Sequence, residues 1–265
     1  MKQVKIQELY LYPVKSLQGV SVEQISFDHW GPCFDRRWVL VDENYKFLTQ
    51  REDPTLAKFK VDFKLDQLEI TTKEDKVCVP IMGNNLEKKV ITVWAHQGES
   101  YDCGAKASDF FSTHLGKKVF LFKIAENFAR TSSSKTSDIS FVDSRQVLVA
   151  NKKSLDWLNQ QIKNENGVQI EMNRFRANII LDEVEFLEEK INLFGNEQVE
   201  LIFEKKCGRC VVITTDQFGG GRQSTLPLKI VAKRNKENSF GVYFTVKSLV
   251  TNALCKKGDF LQLID

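Results

Sequence analysis

Short runs of β-branched and aromatic residues recur along most of the chain, and they constrain its fold more than any other feature. The first half contains KIQELYLYPV, RRWVLVD, YKFLTQ and KVITVWA, separated by turn sequences such as DEN (42–44) and GNN (83–85). The carboxy-terminal part adds ANIILDE, QVELIFE, CVVITT, GVYFTV and DFLQLI. Such residues favour strands, and the intervening turn residues favour antiparallel pairing. The sequence therefore predicts an α+β protein rich in β-barrel or sheet structure.

Two segments have the features of helices. In ASDFFSTHLGKK, Ser108 is predicted to cap the start of a helix and Gly116 to end it. A second helix is predicted to begin at Ser154. The polar segment ARTSSSKTSDIS (129–140) separates them and has no periodicity, so we interpret it as a surface loop and linker. We place the division between two domains nearby, at 1–120 and 121–265.

Charge and hydropathy exclude several classes of protein. The 265 residues include 38 Lys and Arg and 35 Asp and Glu, a formal charge of +3, whereas nucleic-acid-binding domains usually carry a strong basic excess. The amino terminus has no apolar core of a signal peptide, and no apolar run reaches the ~18 residues that span a bilayer. We expect a soluble, cytoplasmic protein that binds neither a nucleic acid polymer nor a membrane.

The six cysteines give no sign of a disulfide framework. They lie at positions 33, 78, 103, 207, 210 and 255 of a chain without a secretion signal, so reduced thiols are expected. The plant-type ferredoxin spacing C-x4-C-x2-C is absent, and the chain therefore shows no iron–sulfur cluster of its own. Any electrons used in a reaction would have to come from outside the chain.

The C-x-x-C formed by Cys207 and Cys210 leaves several interpretations open. A zinc site needs four ligands, and the three histidines are isolated and distant in sequence. A thioredoxin-like dithiol would open a helix, but Val-Val-Ile-Thr-Thr follows here and disfavours one. We place CGRC at a bend between strands or within a strand, where a thiol can enter a pocket beside Arg209. Burial of both cysteines as small core residues remains an alternative.

Five motifs occur in an order that resembles a known family. They are LYLYPVKSLQGVSV, FDRRWVLVDENYKFLTQRE with a T-x-R-x-x-P stretch ending at Pro54, RFRANI, CGRC followed by TTD and LPL, and GDFLQLI. Together they are similar to the MOSC-domain proteins, of the type of the mitochondrial amidoxime-reducing component and the bacterial YcbX proteins. The resemblance covers nearly the whole chain. Departures are Ala177 in place of Pro, Gly208 in place of Ser, Ile213 displacing the TT pair, and the expected lack of the YcbX ferredoxin domain.

The resemblance implies a MOSC N-terminal β-barrel-like region at 1–120, a MOSC β-barrel domain at 121–265, and a molybdenum cofactor (Mo-molybdopterin) bound by both. Pyridoxal phosphate is not expected. It implies that Cys210 is the metal ligand and the catalytic residue, and that Cys207 is packed. The implied cofactor-binding residues are Lys15, Ser16, Arg36, Ser144, Arg176, Asn178, Gly208, Arg209 and Cys210.

The alternation of side chains along a strand predicts which of these residues face the same side. Arg176 and Asn178 would face the same side of a strand, because side chains alternate along it. Cys210 would begin the strand VVITT, and Cys207 would then face the opposite side unless the chain bends at Gly208. A soft thiolate suits a molybdenum ion already bound by sulfur, and Arg209 would favour the thiolate.

The function implied by the resemblance is the molybdenum-dependent reduction of N-hydroxylated compounds, such as hydroxylamines, amidoximes or N-hydroxylated nucleobases, in detoxification. The electrons would come from an external electron-transfer protein or reductase, ferredoxin-like or a flavoprotein. One alternative is a protein that binds or carries the molybdenum cofactor, or transfers sulfur to it, without turnover. A second alternative is a metal-free dithiol oxidoreductase that uses Cys207 and Cys210.

Overall fold

Strands dominate the computed structural model, which describes residues 2–82 and 87–264. The predicted turn at 83–85 lies outside the described residues. The strands of the first part of the chain are β1 (Gln3–Leu11), β2 (Val20–Val22), β3 (Gln24–Asp28), β4 (Gly31–Pro32), β5 (Trp38–Val41), β6 (Lys60–Lys64), β7 (Gln67–Thr71), β8 (Lys76–Pro80), β9 (Lys88–Val93), β10 (His96–Asp102) and β11 (Phe120–Ile124).

The remaining strands are β12 (Val147–Asn151), β13 (Ile179–Leu181), β14 (Leu193–Gly195), β15 (Val199–Gly208), β16 (Ser239–Ser248), β17 (Leu254–Lys256) and β18 (Phe260–Leu263). The α-helices are α1 (Ala105–Leu115), α2 (Lys152–Asn164) and α3 (Leu226–Arg234). Short 3-10 helices cover Pro54–Lys58, Met172–Phe175, Leu187–Lys190 and Val211–Thr214. No helix among the described residues is both long and apolar enough to cross a lipid bilayer.

Seven strands close into a barrel. Their order is β13-β12-β16-β15-β14-β18-β1, and a further pairing of β1 with β13 completes the ring, while β2 extends it from β1. All neighbouring strands in the ring are antiparallel except β12 and β13. Its core includes Val4, Ile6, Phe194 and Phe244, all buried. The prediction of a barrel-rich α+β protein is confirmed.

The first part of the chain builds a second set of sheets beside the barrel. One has the strand order β5-β11-β10-β9 and another the order β6-β7-β8, and a core around Trp38, Phe59 and Phe111 joins them to α1. β1 belongs to the barrel, and β11, at the predicted boundary between the two domains, pairs with β5. The segment YKFLTQ forms isolated bridges rather than the predicted strand.

The predicted helix caps are partly wrong. The first helix ends at Gly116 in the left-handed conformation, as predicted, but Gly104 rather than Ser108 precedes it. The Ser108 hydroxyl instead donates back to the Gly104 carbonyl (3.2 Å). In the second helix Asn151 is the cap, and its side chain accepts a first-turn N–H. Ser154 lies inside that turn and is buried, a difference that sequence cannot reveal because both residue types cap helices well.

Candidate active site

A cavity of about 460 Å³ lies where the barrel meets the first part of the chain. Its walls come from segments near residues 15, 36, 50, 143, 175 and 208. All nine predicted site residues line this cavity: Lys15, Ser16, Arg36, Ser144, Arg176, Asn178, Gly208, Arg209 and Cys210. The structure thus brings together residues from four of the five motifs and from the segment of Ser144, while the role of each residue remains a prediction.

The lining of the cavity is strongly basic. Among its described residues there are eight basic side chains, Lys15, Arg36, Arg51, Arg145, Arg174, Arg176, Lys205 and Arg209. The lining contains one carboxylate, that of Asp143. A concave surface with this excess of positive charge attracts anions.

Asp143 joins two of these cations. The Lys15 ammonium donates to the Phe141 carbonyl oxygen (2.8 Å) and contacts Asp143, whose other carboxylate oxygen accepts from Arg51 (2.7 Å). Burial lowers the pKa of Lys15 to about 8, although Asp143 opposes this change. Burial alone would raise the pKa of Asp143, but Lys15 and Arg51 hold it well below its usual range. The carboxylate therefore stays ionised between its two cations.

Arg36 and Arg176 both stack on Tyr12, each at 4.4 Å from the centre of the ring. Arg36 forms an ion pair with Asp35 and donates to the Arg176 carbonyl oxygen (2.8 Å). Arg176 donates to the Leu17 carbonyl oxygen (2.6 Å). Burial, reinforced by the Arg36 charge, lowers the pKa of Arg176 to about 10. The Arg176 side chain is therefore a cation held close to another cation.

Arg176 and Asn178 do not share the face of a strand, contrary to the prediction. Arg176 is left-handed (φ 55°) and ends a 3-10 helix, and β13 begins only at Ile179. The Asn178 amide is buried and donates to the Tyr10 carbonyl oxygen (3.2 Å) and to Asp35 (3.1 Å). Both amide donors are therefore engaged within the protein, and Asn178 shapes the cavity wall by joining separate segments.

Cys210 begins a 3-10 helix, and the predicted strand VVITT is wrong. β15 ends at Gly208, and Cys210 precedes the helix Val211–Thr214 with an extended backbone (φ −128°, ψ −175°). Burial of Ile213 and a hydrogen bond from the Thr214 hydroxyl to the Val211 carbonyl oxygen (2.7 Å) stabilise this turn. Tertiary packing here overrides the strand preference of β-branched residues.

The bend after Gly208 brings both thiols to the same cavity. Cys207 is only 3% exposed and contributes to a hydrophobic cluster, whereas Cys210 is partly exposed. Burial raises the pKa of Cys207, opposed by the charge of Arg209 and a hydrogen bond with Tyr243. Cys210 is thus the more accessible thiol of the pair.

Arg209 is not free to act as the cation beside Cys210. Its guanidinium donates to the carbonyl oxygens of Phe240 (2.8 Å) and Phe175 (2.9 Å) and so joins two core segments. Burial would lower the pKa of Arg51, but Asp143 and, to a smaller extent, Cys210 raise it. Arg51 and Cys210 both line the cavity, where the Arg51 guanidinium donates to Asp143 (2.7 Å).

Sequence reasoning missed several polar residues of the lining, among them Arg51, Arg145, Arg174, Lys205 and Tyr243. A signal existed for two of them. Arg51 is the arginine of the T-x-R-x-x-P stretch, and Lys205 lies two residues before Cys207 on β15, a spacing that places side chains on one face of a strand.

Comparison with known proteins agrees with this architecture. Residues 3–118 match the MOSC N-terminal beta barrel domain, and residues 136–259 match the MOSC domain. The molybdenum cofactor sulfurases of Bos taurus and Homo sapiens are 30% and 29% identical over 94% of this chain. The match covers 31% of each relative, so the chain spans about a third of the length of these curated relatives.

Among solved structures, the YUAD protein of Bacillus subtilis aligns over 98% of this chain and 94% of its own, with 12% identity and a TM-score of 0.46. The two domain models match in succession and together account for most of the described residues, including every predicted site residue. The chain belongs to the MOSC-domain family.

Proposed function

We propose that the cavity binds a molybdenum cofactor and that the protein uses it to reduce N-hydroxylated compounds. The observation that carries this proposal is a basic cavity with a partly exposed thiol in its wall. Its volume lies within the range of roughly 300–1,000 Å³ that is usual for small-molecule and cofactor sites. The curated relatives are named for the same cofactor, which adds support from sequence.

The charges of the cavity fit an anionic group. Among the described residues, four of the basic side chains have no carboxylate within salt-bridge distance: Arg174, Arg176, Lys205 and Arg209. Of these four, Arg174 is buried, Arg176 and Arg209 are partly buried, and Lys205 is exposed. Burying a cation without a partner is unfavourable, so a bound anion would stabilise the buried members of this group. Guanidinium groups match the oxygens of a phosphate, which the cofactor carries.

The residues present would divide the work between them. The Cys210 thiolate would hold the metal, because a soft sulfur ligand suits it. When bound, the cofactor would supply the two-electron chemistry that removes oxygen from an N–OH group. The overall reaction converts R–NHOH, two electrons and two protons into R–NH2 and water. The Lys15 Nζ, with a pKa of about 8, is protonated at neutral pH and lies in the cavity wall.

The electrons would come from an external electron-transfer protein or reductase. A chemical reductant can replace it, which makes the proposal testable with the purified protein. The protein, produced in a host that makes the cofactor, is assayed for molybdenum, for the fluorescence of its oxidised pterin, and for reduction of benzamidoxime. We expect the purified protein to contain the cofactor and to reduce benzamidoxime only when a reductant is supplied.

Replacement of single cysteines tests the role of Cys210. We expect Cys210→Ser to abolish reduction of benzamidoxime, because an alcohol is a harder and less acidic ligand than a thiol. The matched control is Cys33→Ser, since Cys33 lies outside the cavity lining. Cys207→Ser should lose stability but retain activity. Full activity of Cys210→Ser, with molybdenum bound, would contradict the proposal.

In a second candidate function, the protein binds or carries the molybdenum cofactor, or transfers sulfur to it, without reducing a substrate. The relatives, which are molybdenum cofactor sulfurases, favour it. Retention of the cofactor with no reduction of hydroxylamines or amidoximes, under any reductant, would support it. The metal-free dithiol alternative makes the opposite prediction for Cys207→Ser, which should then abolish activity.

A further inference from the structure

A tight hairpin follows directly after the 3-10 helix that Cys210 begins. Thr215 pairs with Arg222 across this hairpin, the Asp216 N–H donates to the Gly221 carbonyl oxygen (2.9 Å), and the Gln223 N–H to that of Thr214 (2.8 Å). Within the turn, the backbone N–H groups of Phe218 and Gly219 donate to the Asp216 carboxylate and lower its pKa. The hairpin is therefore held by its own hydrogen bonds, and it presents Arg222 from a defined position.

The guanidinium of Arg222 connects the backbone that follows Cys210 to the backbone of Gln50 and Arg51. It donates through Nη1 to the Val211 carbonyl oxygen (3.0 Å), and through Nη2 to the carbonyl oxygens of Gln50 (2.6 Å) and Arg51 (2.8 Å). Val211 follows Cys210 in the chain, and Arg51 and Cys210 both line the cavity. The Arg222 side chain thus fixes the backbone of Val211 and that of Gln50 and Arg51. Arg222 itself does not line the cavity.

A second contact joins the same hairpin to the first part of the chain. The buried side-chain amides of Gln217 and Gln50 exchange hydrogen bonds of 3.1 and 3.2 Å. Gln50 also donates to the Ser16 carbonyl oxygen (2.6 Å). The hairpin therefore contacts the segment of Gln50 and Arg51, which lines the cavity, and Gln50 connects it to the segment of Ser16.

We infer that Arg222 is a positioning residue, which holds the Arg51 side chain against Asp143 and beside the Cys210 thiol. Arginine is suited to this role because its planar group offers several donors in fixed directions, whereas a lysine ammonium is a point charge. The consequence for the cofactor rests on the proposed function. The placement of Arg51 does not, and it can be measured without any cofactor.

The indole of Trp94 reports on Arg51. The Arg51 guanidinium lies 5.0 Å from the centre of the Trp94 ring, and Trp94 is 42% exposed. The experiment records the indole N–H resonance of Trp94 by NMR in cofactor-free protein, assigned with Trp94→Phe. We expect Arg222→Lys and Arg222→Ala each to shift this resonance as Arg51→Ala does. In the double variant, which combines Arg51→Ala with Arg222→Ala, we expect no shift beyond that of Arg51→Ala alone.

The matched control is Lys229→Ala, which removes an exposed charge from α3 and should leave the resonance unchanged. A wild-type resonance in Arg222→Lys and Arg222→Ala would overturn the inference, and so would restoration by lysine, because charge alone would then suffice. A role in stability alone would lower the melting temperature without moving the Trp94 signal. The conservative lysine variant keeps the test available where the alanine variant does not fold.

A second readout follows the cofactor. Loss of hydrogen bonds that hold Arg51 should speed cofactor dissociation about tenfold in both Arg222 variants, while Lys229→Ala dissociates at the wild-type rate. Unchanged dissociation in both Arg222 variants would contradict the inference. Wild-type protein that binds no cofactor would refute the proposed function alone, because the Trp94 measurement would still decide the placement of Arg51.

Discussion

Two walls of the cavity carry similar charges but differ in how those charges are balanced. On the paired wall, Lys15 and Arg51 both contact Asp143. On the open wall, formed by Arg174, Arg176, Lys205 and Arg209, no carboxylate of the described residues lies within salt-bridge distance. The comparison shows that a count of basic residues does not locate an anion site, because cations that already have a partner contribute mainly to the structure.

The two walls should therefore respond differently to the same substitution. A cation with a carboxylate partner stabilises the fold, and its removal leaves a polar group poorly satisfied. A cation without one is held near like charges, and its removal relieves repulsion while weakening the attraction for an anion. One lysine lies in each wall, which allows a matched test of this difference.

The largest expected effect is on stability. Lys15→Met should lower the free energy of unfolding by roughly 2–3 kcal/mol, because it removes charge-assisted hydrogen bonds to Asp143 and to the Phe141 carbonyl oxygen. Lys205→Met should change it by no more than about 0.5 kcal/mol. Urea denaturation of both variants measures the difference. Equal losses in the two variants would remove the distinction between the walls.

The second effect is on anion binding. Lys205→Met should weaken the binding of inorganic pyrophosphate to cofactor-free protein by about tenfold at low salt, with a smaller difference at high salt. Lys206→Met is the matched control, because Lys206 is the next residue of β15 and lies near Glu189 and Glu237 instead of the cavity. Calorimetric titration gives the affinities. The same loss of affinity in both variants would show that only the net charge matters.

The smallest effect is on the pH dependence of stability. The folded state lowers the pKa of Asp143, so the unfolded chain binds the proton more readily, and the stabilisation is present above about pH 4 and is lost as the pH falls further. Because Asp143 is 38% exposed, solvent limits this contribution to on the order of 1 kcal/mol. The difference in stability between wild type and Asp143→Asn should shrink between pH 4 and pH 2. A difference in stability that stays constant over this pH range would show that the effect of Asp143 does not come from its ionisation.

The barrel could be predicted from sequence because its information is local and repeated. Short runs of β-branched residues mark β15, β16 and most other strands. Burial alternates at the start of β15, whereas the first four residues of β16 are all buried. The segment after Cys210 has the same composition and forms a 3-10 helix, because Ile213 packs into a distant cluster. Composition alone cannot distinguish these outcomes, since the deciding contacts come from elsewhere in the chain.

The members of the site were predictable, but their contacts were not. Motifs in the correct order identified residues that the fold brings to one cavity. Sequence gave no means to see that Arg209 and Asn178 are engaged with backbone groups and other core residues, whereas Arg51 donates to Asp143. Arg209 and Phe240 are 31 residues apart in the chain, and Asn178 and Tyr10 are 168 apart, so these partners can be assigned only from three-dimensional structure.

The pairing of β1 has a consequence for how the chain folds. β1 precedes every other described strand in the chain, yet its partners in the ring are β13 and β18, and the latter follows every other described strand. The barrel therefore cannot close until almost all of the described sequence is available, and closure joins strands of large sequence separation. Topologies dominated by such contacts fold slowly. Until β13 and β18 are available, β1 can pair only with β2, through Leu9, Tyr10 and Leu11. The rest of its hydrogen-bonding edges stays unpaired during this interval, which exposes the incomplete chain to aggregation at this strand.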